Sequence, residues 1–99
     1  MIKFNNYNLR KIGNKILITP IKNGVPNMKK VTVLEGIAIN FWNLIENEES
    51  IISIIDLLAK EYNVDKNLIT KDLLNFLEQL KLNEVILEYS TEERIENKK

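Results

Sequence analysis

Histidine and cysteine are both absent from this chain of 99 residues. Without histidine there is no imidazole to activate a serine or shuttle a proton at neutral pH. Without either residue there is no ordinary zinc, haem or iron–sulfur site, no disulfide framework and no thiol redox chemistry. Long apolar runs are missing too. The stretch 51–59 is broken by Ser53 and Asp56, and a membrane span needs about 20 apolar residues. The start, Met1-Ile2-Lys3-Phe4-Asn5-Asn6-Tyr7, has no apolar signal core. These features predict a soluble, cytoplasmic protein. Arginine is scarce, 2 against 12 lysines, as a biased genome would produce, so single lysines and asparagines carry little weight.

What is present suits one small domain. A hydrophobic fraction of 44% is enough for a packed core. The 14 basic and 14 acidic residues cancel, but not evenly: residues 1–34 hold seven bases and no acid, giving +7, and the remainder is −7. Such asymmetry points to a basic surface that meets an acidic partner, or to basic strands facing the fold's own acidic helices.

The first third has the texture of strands. Residues 7–12 and 15–21 predict a hairpin around Gly13-Asn14, a pair suited to positive φ. Pro20, with no N–H to donate, should end that ladder. Residues 22–28, with Asn23-Gly24 and Pro26, predict a loop. Residues 29–34 predict a third strand whose leading lysines guard an exposed edge.

From Glu35 the period becomes helical. Ile37, Phe41, Leu44 and Ile45 share one face of a first helix ending near Asn47, with Trp42 at its margin as a core residue. Glu48-Glu49-Ser50 should supply a cap and negative charge at the start of a second helix, the most buried of the three, since Ile51, Ile52, Ile54, Ile55, Leu57, Leu58 and Ala59 cover most of its circumference. Asp65 should cap a third helix running to Leu82, with Ile69, Leu73, Phe76 and Leu80 inward, Leu77 to one side and Leu74 off the stripe. Asn83 is a candidate left-handed terminator. Residues 85–89 could add a short strand, leaving residues 1–89 as the domain and 90–99 as a charged, fraying tail. The expected class is α+β, a winged helix-turn-helix-like arrangement with a three-stranded antiparallel sheet followed by a three-helix bundle.

The helical strings resemble a known family. Leu34-Glu35-Gly36-Ile37-Ala38-Ile39-Asn40-Phe41-Trp42-Asn43-Leu44-Ile45 is similar to a first-helix signature reading Leu-Asn-x-x-Ala/Gly-x-x-Ile/Leu-Trp-x-Leu-Leu. Residues 51–62 look like its second helix, and Asp72-Leu73-Leu74-Asn75-Phe76-Leu77-Glu78-Gln79-Leu80 resembles Asp-Val-x-x-Phe-Leu-x-x-Leu of its third. The family is the PqqD-like proteins, or RiPP recognition elements. The likeness covers about residues 9–87, with Glu35 where the family has Asn and Asn83 where it has Gly. It implies a non-catalytic adaptor without cofactor or catalytic residues. Such an adaptor binds the leader of a ribosomally made precursor peptide and presents it to a modifying enzyme, often a radical S-adenosylmethionine enzyme. The leader would add as a strand beside the third strand, in a groove against the third helix.

The residues support that mode on their own terms. A free edge over Lys29, Lys30, Val31, Thr32, Val33 and Leu34 could accept a peptide by β-augmentation. Leu74 could line a groove and Leu77 could floor it, while Lys29, Lys30, Lys71 and Lys81 could receive acidic leader residues. The plainer account of the leucines is core, and of the lysines a solvated face. A free edge could also pair with a second copy, so monomer and dimer both stay open. The competing reading is a winged-helix nucleic-acid binder, with Arg10, Lys11 and Lys15 on the wing. Against it, the third helix is nearly neutral and the pI is about 6.3, where DNA-binding domains usually exceed about 9. Enzyme chemistry is disfavoured, because scattered surface carboxylates usually serve solubility.

Overall fold

The computed structural model describes residues 2–90. Strands β1 (Ile2–Phe4), β2 (Asn6–Ile12), β3 (Lys15–Lys22), β4 (Val25–Pro26) and β5 (Thr32–Leu34) come first. Helices α1 (Ile37–Glu46), α2 (Ile51–Tyr62) and α3 (Lys66–Leu82) follow, and β6 (Ile86–Tyr89) comes last among them. The α+β class is as expected, but the strand count is not. One sheet has four strands, ordered β2-β3-β4 with β5 also on β3, and β1 pairs with β6 in a separate two-stranded ribbon. Every pairing is antiparallel. The proposed tail from residue 91 onward lies outside the described residues.

The β2–β3 register pairs Ile12 with Lys15, leaving Gly13-Asn14 as a two-residue turn in which only Gly13 takes a positive φ, +61°. Pro20 does not end the ladder. It lies inside β3 opposite Tyr7, and its carbonyl accepts from the Asn27 N–H at 2.9 Å. In a strand the N–H and C=O of one residue point to the same side, so the donor that Pro20 lacks falls on the side away from β2. There β4 pairs only Ile21 and Lys22, while β5 pairs only residues 16–18, and no ladder partner needs it. Residues 22–28 are likewise not a plain loop: Asn23-Gly24, both at positive φ, closes a tight hairpin onto Val25–Pro26. The third strand is shorter than expected. Met28–Lys30 is a 3-10 turn capped by Asn27, whose side chain accepts from the Lys29 N–H, so local capping holds Lys29 and Lys30 out of the sheet.

The inner face of the sheet, Ile16, Ile18 and Leu34, meets Phe41, Trp42 and Ile45 of α1 and the buried stripes of α2 and α3 in one core. Ser50 and Asp65 cap α2 and α3 as expected. α2 is not the most buried helix, since Leu57 is 48% exposed. In α1 only Asn43 and Glu46 are exposed, because α1 is enclosed by sheet and helices together. Asn83 is not left-handed either. Its φ is −89°, and the positive φ falls one residue later, at Glu84.

Candidate functional site: the open edge of β5

β5 pairs with β3 as Ile16↔Leu34, Leu17↔Val33 and Ile18↔Thr32. Pro20 directs its carbonyl away from β2, and alternation along β3 turns the main-chain groups of Ile18 and Ile16 the same way, toward β5. Thr32 and Leu34 therefore spend their N–H and C=O on β3, and those of Val33 point outward. Val31, in extended backbone at φ −68°, ψ 133°, has the same parity. Among the described residues no strand covers that side. The side chains alternate too: Thr32 and Leu34 are buried, and Val33 is 51% exposed.

The start of β5 is fastened to the end of α3. The Asn83 side-chain amide donates to the Thr32 hydroxyl at 2.7 Å. The Lys30 ammonium donates to the Leu82 carbonyl at 3.3 Å and lies 3.8 Å from the Glu84 carboxylate, so a cation sits at the negative end of the helix. Sequence reasoning missed Asn83 and Asn27 as organisers of this edge. The preference of Asn for caps was the one signal available.

Of the expected site residues, Lys29, Lys71 and Lys81 are exposed, and none makes an ion pair among the described residues. Lys30 is engaged with α3 rather than free. Leu74 is half-buried against the core, and Leu77 is fully buried, so Leu77 can only support a contact surface from beneath. The fastening contacts lie at the C-terminal end of α3. Leu74 and Lys71 sit two to three turns back along it, about 12–17 Å at the helical rise. Two concavities lie elsewhere, one bounded by Phe4, Ile45 and Ile51 and another by Asn5, Pro20, Asn27 and Leu87. The site is thus an open sheet edge beside a helix, with main-chain donors and acceptors facing out. Among the described residues no group of acidic side chains could hold a metal, and no helix is long and apolar enough to cross a membrane.

An open sheet edge of this kind, with three helices behind it, is the arrangement that can accept an extended segment as an added strand. The family model for coenzyme PQQ synthesis protein D (PqqD) matches residues 24–86, and the chain belongs to that family. Among solved structures it is similar to TbiB1 in complex with the TbiA(beta) leader peptide, with a TM-score of 0.72 and 22% identity over 89% of this chain and 98% of that one. No curated protein matches.

Proposed function

We propose that the chain is a non-catalytic adaptor. It binds the leader of a ribosomally made precursor peptide as an added strand on β5 and presents the peptide to a modifying enzyme. The observation that carries this reading is the outward-facing main chain of Val31 and Val33 on a strand that, among the described residues, is paired on one side only. The family and the leader-bound state of TbiB1 support it. Residues 1–89 act as the binding unit, and the β2–β3 hairpin with the α2–α3 pair forms a winged-helix-like frame turned to peptide capture. A radical S-adenosylmethionine enzyme is the proposed recipient.

Energetics assign the roles. Four main-chain hydrogen bonds, two each from Val31 and Val33, contribute about 1 kcal/mol apiece and are blind to sequence. Association costs about 4–15 kcal/mol, so strand pairing alone binds poorly. Apolar anchors contribute about 1.5–3 kcal/mol each, and Val33 and Leu74 offer the surface for them. Lys29, Lys71 and Lys81 steer acidic leader residues and act mainly on association rate.

The test is calorimetry with leader peptides from short open reading frames beside the gene. Leu74→Ala should weaken binding about tenfold or more, and Lys71→Ala by less than about fivefold. Equal or reversed losses defeat the anchor argument. If no added strand forms, the Val31 and Val33 amides gain no protection from hydrogen exchange on peptide addition, and the adaptor reading fails with them.

A further inference from the structure

The sheet has a second vacant edge, and it is the longer one. β2 has seven residues against three in β5, and among the described residues it pairs with β3 alone. The two-residue turn makes Ile12↔Lys15 a hydrogen-bonded pair. Alternation then turns the main chains of Asn6, Asn8, Arg10 and Ile12 toward β3. Those of Tyr7, Leu9 and Lys11 face outward. The β2–β3 register runs without a shift and no proline lies in β2, so neither a bulge nor a proline blunts this edge, and Arg10 and Lys11 are the charges that guard it against unselective pairing.

We propose that β2 pairs antiparallel with β2 of a second copy about a two-fold axis at Leu9, giving a dimer with one continuous sheet whose two β5 edges lie at its far ends.

Register and charge both select this arrangement. Residues directly opposite in an antiparallel pair lie on one face of the sheet. Tyr7 and Leu9 are partly buried toward the core while Asn6, Asn8, Arg10 and Ile12 are exposed. Only registers that match odd with odd positions keep both sets of helices on the same side with outward main chains meeting. Of these, the one centred on Leu9 uses all seven residues and sets Leu9 against the partner's Leu9. It also sets Tyr7 against the partner's Lys11. Centring on Arg10 instead would oppose two guanidinium groups and shorten the ladder.

In the Leu9 register the partner's Lys11 lies beside the Tyr7 hydroxyl, which donates to the Glu46 carboxylate at 3.1 Å. Lys11 and Glu46 are both exposed and neither makes an ion pair within the described residues. The axis creates this cation–carboxylate contact twice. It leaves Arg10 facing the partner's Asn8, so no like charges meet.

Sedimentation equilibrium of the full chain, without peptide, tests the proposal from micromolar to millimolar concentration. The expected result is a reversible shift from 11.6 kDa to twice that mass. Lys11→Glu should weaken the dimer at least tenfold, about 1.4 kcal/mol, and Lys11→Glu combined with Glu46→Lys should restore it. The chain has no native cysteine, so cysteine pairs report the register directly. Leu9→Cys should self-link under mild oxidation. Asn6→Cys and Ile12→Cys should link to each other when mixed, and neither should link to itself; these exposed positions keep the test open if Leu9→Cys folds poorly. A monomer throughout, or Ile12→Cys self-linking as readily as Leu9→Cys, overturns the proposal. The β5 site takes no part in these measurements, so failure here leaves peptide binding there intact.

Discussion

Two tyrosines clip the strands to the helices. The Tyr7 hydroxyl donates to Glu46 on α1, and the Tyr89 hydroxyl donates to Glu78 on α3 at 2.6 Å. Both phenols are held above their ordinary pKa. For Tyr7 the first cause is burial, followed by the hydrogen bond and the negative charge of Glu46. For Tyr89 the bond to Glu78 comes first, then burial and that carboxylate's charge. A raised phenol pKa means the folded state holds its proton more tightly than the unfolded chain does. The stabilisation is complete below the unfolded value near 10 and disappears as pH rises through the folded value. Urea midpoints at about pH 8 and about pH 10.5 should therefore fall less for the Tyr7→Phe, Tyr89→Phe double variant than for the native chain. Equal falls would show that neither clip matters to alkaline stability. Beside Tyr7 lies Trp42, fully buried, with an indole N–H that finds no hydrogen-bond acceptor among the described residues. Its ring meets Phe4 and Tyr7 edge-on at 5.8 and 5.3 Å. Such contacts contribute about 0.5–1.5 kcal/mol each and offset part of that unmet donor.

All three helices end in the same device. At the C-terminus of α1 the N–H groups of Glu48 and Glu49 return to the carbonyls of Ile45 and Leu44. Asn63 and Val64 do so for α2, and Glu84 and Val85 for α3. Each is a Schellman motif whose left-handed residue is not glycine: Glu48 at φ +65°, Asn63 at +56° and Glu84 at +63°. Asparagine tolerates that region, whereas a glutamate there costs about 1 kcal/mol. Glu48→Gly and Glu84→Gly should each raise stability by about 0.5–1 kcal/mol in urea unfolding, with Asn63→Gly nearly neutral. A loss at Glu48 would mean that its side chain outweighs the strain.

The starting caps, Ser50 and Asp65, were legible in the sequence because their side chains bond the backbone two or three residues on. The terminators Glu48 and Glu84 were not, because glutamate carries no local preference for left-handed backbone. Surrounding structure holds Glu84 there, with the Asn5 side chain donating to its carbonyl and Lys30 near its carboxylate. Residues 29–30 read as strand by their company with Val31-Thr32-Val33, but a cap from Asn27 outweighed that pattern. The candidate edge itself was legible from Val31 to Leu34. The roles of Leu74 and Leu77 were not, because a three-residue offset on a helix separates core from surface only once the neighbours are placed.

Among the described residues, most of the basic first third finds no ion-pair partner. Lys3 pairs with Glu88 and Lys30 with Glu84. Arg10, Lys11, Lys15, Lys22 and Lys29 make no ion pair among the described residues. The three ion pairs among the described residues have side chains between 38% and 66% exposed, the class that contributes about 0–1 kcal/mol and is screened by salt. Thermal unfolding of the monomer should therefore shift by less than about 1 kcal/mol between low salt and about 0.5 M sodium chloride. Dimerisation through Lys11 and Glu46 should weaken over the same range. A large loss of monomer stability in salt would show that the charge asymmetry is an internal glue after all.

Local rules settled in the sequence where the helices lie and how the second and third begin, where the first hairpin turns, and that there is no imidazole or thiol chemistry. Each follows from periodicity, capping or composition within a few neighbouring residues. Only the tertiary structure decided that β1 reaches across the chain to β6, that β3 continues through Pro20, and that among the described residues β2 and β5 are each left with one bare side. Strand pairing joins residues far apart in the chain, and whether an edge is vacant depends on every other element having found its place.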